Sequence, residues 1–223
     1  MTGTPQPSLA KALVTIHKVI TRGLDVTKSR SQSFAEEGLS DATLRSGFVS
    51  YARTLVPLTH AHHLAEDDVL FPTFRGKIPE APWNLLIVQH REIAPLLDQL
   101  KVATDEAEAS PQAAEPLSRI NRIAAALAEM WHHHIAEEER IFSPDRMDAT
   151  VAPDEQGRIL QLVREHAQKH GGPPELEVPF ILHNLSPEDR AALSAEMPPV
   201  ISQELVPVVW KDQWAPMKPF LLP

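Results

Sequence analysis

The chain has 223 residues, a formal charge of −9, eleven histidines and no cysteine. Without cysteine, disulfides, iron–sulfur clusters, thiolate zinc sites and cysteine nucleophiles are excluded, and the acidic balance argues against nucleic acid as a partner, since phosphate needs a basic surface. A hydrophobic share of 43% with few aromatics and abundant alanine and leucine fits a helical globular chain with a substantial core.

Taken in chain order, Met1 to Ser8 lack a charged start followed by an apolar stretch, so no signal peptide is expected. No run reaches membrane-spanning length, and the expected location is cytoplasmic, with no membrane association. A first helix is expected after Ser8, a candidate N-cap, with Leu9, Leu13, Ile16, Ile20 and Leu24 in phase. The serine-rich stretch from Lys28 to Ser40 reads as a loop or a frayed end. A second helix starts near Asp41, carries Leu44, Phe48, Tyr51, Leu55, Leu58 and Val69, and is expected to stop at Phe71-Pro72.

A third helix follows Trp83 through Leu86, Ile93, Leu97 and Leu100, with Pro95 expected to kink it. The fourth carries Leu117, Ile120, Ile123, Leu127, Met130 and Ile141 and ends before Pro144. A fifth spans roughly Pro153 to His170 and closes at Gly171-Gly172-Pro173-Pro174. The texture then changes. Ser186-Pro187 is a good helix start, and a proline-containing tail follows with Trp210 and Trp214. The organisation expected is an all-α bundle over 1–172 and a helical appendage over 173–223, packed on the bundle or on a partner.

The histidines are clustered. His62-His63-Leu64-Ala65-Glu66 runs on to Leu70-Phe71-Pro72, and His133-His134-Ile135-Ala136-Glu137-Glu138 echoes it. Residues four apart on a helix sit about 40° apart on one face, so a histidine and a glutamate at that spacing can share an ion or serve neighbouring ions. Extending the apolar stripe of the second helix reaches His62 and Glu66, while His63 and Asp67 rotate toward its edge. On the fourth helix the stripe reaches His134 and Glu138 and leaves His133 off the face. His17 lies in phase with Leu13 and Ile20, and His90 with Leu86 and Ile93.

Four imidazoles and two carboxylates therefore project toward one interior point. A single histidine on an apolar face is usually a packed core residue, and acid runs are usually solvated. Two glutamates on apolar stripes are different, because burying a carboxylate costs several kcal/mol, on the order of a lost fold margin, unless a cation compensates it. Nitrogen and oxygen donors without thiolate suit iron or manganese and admit zinc. Tyr51 lies on the same inward face nearly three turns before His62, either as core or as a residue that tunes the metal. His166 and His170, four apart on the fifth helix, are a further pair, read as a solvated couple rather than as replacement ligands.

In the order and spacing of these motifs, over roughly residues 8 to 145, the chain resembles the hemerythrin and HHE cation-binding family. The resemblance implies an up-down-up-down four-helix bundle and a non-haem, oxo- or hydroxo-bridged di-iron centre, with Glu66 and Glu138 bridging. It departs from the oxygen carriers of that family, which place two histidines one turn apart on the third helix. Here Leu86 and Ala94 flank His90 at that distance. One missing imidazole implies a more open iron, and hence a protein that binds, senses or reacts with oxygen, peroxide or nitric oxide, or senses iron, rather than one that carries oxygen. The alternative is a metal-stabilised interaction module whose appendage binds a partner or a second copy of the chain.

Overall fold

Helix starts follow the capping chemistry the sequence offers. A computed structural model describes residues 8–38, 41–110 and 114–223. Helix α1 (Leu9–Glu37) begins with Ser8 Oγ accepting from the Lys11 amide, and α2 (Ala42–Ala65) with the Asp41 carboxylate accepting from Thr43 and Leu44. Each cap satisfies amides that the first helical turn leaves unpaired. The third and fourth long helices are α4 (Trp83–Ala109) and α5 (Ala114–Ile141). Helix α4 continues unbroken through Pro95, whose ring lies on its exposed side.

Two helix ends differ from the sequence expectation. The serine-rich stretch from Lys28 is not a loop: α1 runs on to Glu37, and residues 39 and 40 lie outside those described. Its hydroxyls turn back onto the helix, Ser31 to the Lys28 carbonyl and Ser33 to that of Ser29, while Phe34 packs edge-on against Phe48 and Phe220. Tertiary packing thus carries a segment with weak intrinsic propensity. Nor does the second helix stop at Phe71-Pro72. It widens into a π-helical turn over Glu66–Leu70 and resumes as α3 (Phe71–Arg75). Pro72 has no amide to offer the Asp68 carbonyl and its ring crowds that group, so a wider turn, in which the Phe71 amide reaches back to Glu66, relieves the clash.

The four long helices close into a ring in which every adjacent pair is antiparallel. Along α1 and α5, Thr21 pairs with Trp131 and Lys28 with Asn121. Along α2 and α4, Arg53 pairs with Asp105 and Asp67 with His90. Phe34 meets Phe48 and His17 meets His62 between α1 and α2. Between α4 and α5, Gln89 meets His134 and Glu106 meets Arg119. Helices α6 (Pro144–Thr150) and α7 (Pro153–His170) follow, the latter lying along α2. The short α6 was not legible beforehand.

Residues beyond 172 form α8 (Pro174–His183), α9 (Pro187–Glu196), a π-helical stretch Ile201–Val209, α10 (Lys211–Trp214) and a 3₁₀ turn Ala215–Phe220. Ser186 caps α9 as its sequence suggests, accepting from the Asp189 amide at 3.1 Å. This segment returns over α2. Phe180, Leu182, Met217 and Phe220 join Phe48, Tyr51 and Leu55 in one apolar cluster. A second cluster, built from Leu9, Leu13, Phe71, Phe74, Trp83, Phe142 and Leu160, fills the opposite end. Buried histidines and glutamates occupy the layer between them. Among the described residues, no helix is long and apolar enough to cross a membrane.

Candidate metal centre

Antiparallel packing brings the early part of α1 and α4 level with the last turns of α2 and α5. His17, His62, Glu66, His90, His134 and Glu138 consequently meet in the bundle interior, all buried, with Glu138 and His134 wholly so. All six expected residues converge, and the structure adds a seventh. His63 is buried beside them and stacks on His90, with ring centroids 4.1 Å apart. The sequence stripe turned His63 toward the edge because it assumed a single inward direction. Helix α2 has two long neighbours, however: His62 faces α1, edge-on to His17, while His63 faces α4. Glu66, four residues after one and three after the other, lies between them.

The donor atoms sort into two groups. His63, Glu66, His90 and His134 form one, and His17, His62, Glu66 and Glu138 form the other, with atoms in each group lying within 4.8 Å of one another. Glu66 belongs to both. Its Oε2 lies 3.5 Å from Nε2 of His62 and 3.5 Å from Nε2 of His90. Glu138 also spans the two, with Oε2 3.3 Å from His17 and from His134 and Oε1 3.8 Å from His90. Yet all four oxygens of Glu66 and Glu138, and Nε2 of His17, His62 and His63, are buried without a hydrogen-bond partner. Buried polar atoms are almost always paired. So many orphans aimed at one point fit a shared cation, which the imidazole and carboxylate donors would hold.

The rings are oriented from behind. Nδ1 of His17 is 2.9 Å from Glu139 Oε1, Nδ1 of His90 is 3.0 Å from Asp67 Oδ1, and Nδ1 of His134 is 3.1 Å from Gln89 Oε1. Each contact suits a neutral ring that donates Nδ1–H outward and turns the Nε2 lone pair inward. Nε2 of His90 and of His134 then face each other at 3.0 Å, an arrangement that needs a proton or a metal ion between them. Burial opposes charge on His17 and His90, but the carboxylates of Glu138 with Glu139, and of Asp67 with Glu138, outweigh it and raise both pKa values. Burial pushes His62 and His63 well down and brings His134 to about 4. Burial and the nearby Glu138 push Glu66 well up. Glu138 itself is held well below the usual range, because His17 and His90 overcome its burial.

Aromatic walls close the layer. Trp131 touches His17, His62, His63 and His134 at 5.4–5.9 Å, its indole N–H donating to Thr21. Phe71 stacks on His90 from the other side. Tyr51 is not part of the centre: its hydroxyl donates to Asn184 Oδ1 at 2.6 Å and its ring packs on Phe180. His166 lies outside as well, half-buried, with Nε2 3.1 Å from Asp68 Oδ2 and its ring stacked on His170. His133 is exposed, as its register requires.

A four-helix bundle with a buried layer of histidines and glutamates defines a metal-cation-binding protein of the bundle-core type. The family model described as the hemerythrin HHE cation binding domain matches residues 8–146 and again residues 81–170. The chain therefore belongs to the hemerythrin HHE cation-binding family, and the first match includes all seven buried residues. No curated protein and no solved structure matches it.

Proposed function

We propose that the centre holds two iron ions and serves to bind, sense or react with a small ligand such as oxygen, peroxide or nitric oxide. The observation that carries this reading is the division of the buried donors into two groups that share Glu66. His63, His90 and His134 would hold one ion, His17 and His62 the other, with Glu66 and Glu138 common to both. The first group has three imidazoles and the second two, so an ion held by the second would have fewer imidazole ligands. Two such ions supply redox capacity and a place for a small ligand. The chain orients the imidazoles through Asp67, Glu139 and Gln89, and excludes bulk water with Trp131 and Phe71. The donor set also accommodates manganese, and zinc less specifically.

The deciding experiment is metal analysis with the visible spectrum of protein expressed in ample iron, comparing wild type, Glu66→Ala and His134→Ala. About two irons per chain, as bundle-core dinuclear sites hold, with a charge-transfer band that both substitutions abolish, is the expected result. Little metal, or metal indifferent to both substitutions, sinks the reading. One observation favours a second function: Val200, Val208 and Val209 leave an apolar set exposed on the C-terminal segment. A metal-stabilised module that docks a partner or a second copy through that segment would load metal yet stay inert toward peroxide and nitric oxide.

A further inference from the structure

The two halves of the centre correspond through an approximate twofold arrangement of the bundle. His17, His62, Glu66 and Asp67 on the first helix pair match His90, His134, Glu138 and Glu139 on the second. The match includes the outer contacts, since Asp67 backs His90 at 3.0 Å while Glu139 backs His17 at 2.9 Å. It fails at two places beside the centre. His63 corresponds to Ile135, and Gln89 corresponds to Ile16. Gln89 reaches from α4 to α5 and sets its Oε1 3.1 Å from Nδ1 of His134. Ile16 has no polar atom with which to do the same for His62.

A neutral imidazole carries one proton on one of two nitrogens, and the acceptor it finds decides which. Nε2 of His134 lies 3.0 Å from Nε2 of His90 and 3.3 Å from Glu138 Oε2. It offers a lone pair there only while the proton sits on Nδ1. Gln89 Oε1 is the acceptor that keeps it on Nδ1. Unlike Asp67 and Glu139, the amide is neutral, so it fixes the tautomer without pulling the ring toward imidazolate. We propose that Gln89 is a positioning residue that holds His134 with Nε2 inward, and thereby makes the His63/His90/His134 half the tighter of the two. This rests on the two-ion reading above.

The test is ferrous titration of the metal-depleted full chain, paired with nitrogen-15 NMR of the imidazoles in the metal-free state. Wild type should take up two ions and show His134 protonated on Nδ1. Gln89→Leu, close in shape but without an acceptor, should lose that tautomer and weaken one ion by about 10–100-fold, leaving the other unchanged. Gln89→Glu restores an acceptor. It should recover both the tautomer and the affinity, and lower the reduction potential because a carboxylate makes the imidazole a stronger donor. The inference is overturned if Gln89→Leu matches wild type in tautomer and both affinities, or if Gln89→Glu is as impaired as Gln89→Leu. A wild-type chain that takes up fewer than two ions overturns the two-ion reading instead, and the two failures are told apart by that first titration.

Discussion

At the scale of single residues, the centre is distinguished by what its atoms lack. Nε2 of His63 is buried without a partner, whereas His133, one residue before His134, is exposed. His63→Ala is therefore expected to weaken one ion by about 10-fold or more, and His133→Ala to change nothing; iron per chain after dialysis against a chelator separates them. Protons report on the same atoms. His17, His90 and Glu66 have raised pKa values, so in the metal-free chain they keep protons to higher pH than ordinary imidazoles and carboxylates do. Ligation must displace those protons. Metal uptake near neutral pH should release protons, less of them as the pH rises through those values. His134, at about 4, contributes none. Calorimetry in two buffers of different ionisation heat measures the release, and none at pH 6.5, where an ordinary imidazole is half charged, would contradict the assignment.

At the scale of elements, α2 carries the most. It supplies His62, His63 and Glu66, opens into the π-helical turn at Glu66, and forms the floor for the C-terminal segment. That last contact depends on Gly47. The Pro216 carbonyl sits where a β-carbon would be, and backbone oxygen has no way to step aside. Gly47→Ala is expected to lift the 3₁₀ turn Ala215–Phe220 and destabilise the chain by about 1–3 kcal/mol, despite alanine's better helix propensity. Urea unfolding gives the energy, and tryptophan fluorescence reports the displaced neighbourhood of Trp214. A stabilised variant would mean that the segment is not docked there.

At the scale of the molecule, two apolar clusters enclose a polar layer whose buried carboxylate oxygens and imidazole nitrogens include several without hydrogen-bond partners. Metal at about 100 times its dissociation constant should add about 2.7 kcal/mol. For a chain of this size that raises the thermal midpoint by roughly 5–10 °C. Glu66→Leu should reverse the relation. Its metal-free form should be more stable than metal-free wild type by about 1–3 kcal/mol, because an unpartnered buried carboxyl is gone, and metal should add little. Thermal melts with and without iron decide it. Equal metal gains in both proteins would remove Glu66 from the site.

Periodicity and residue chemistry alone were enough to specify four long helices, the cap at Ser8 and a helix start near Asp41, and six inward histidines and glutamates. These are local properties: a stripe at 3.6 residues per turn selects a face whatever packs on it. The absence of cysteine, also local, left only nitrogen and oxygen donors. What depended on distant residues was not legible. The continuation of α1 past Lys28 needs Phe34 to meet Phe48 and Phe220, and Tyr51 is a core anchor because Asn184 comes to it from 133 positions away. His63 enters the centre because α2 faces two neighbours at once, and Gln89 matters only because α5 places His134 beside it. Sequence supplies one face per helix; which neighbour fills each sector of that face is decided only when the helices assemble.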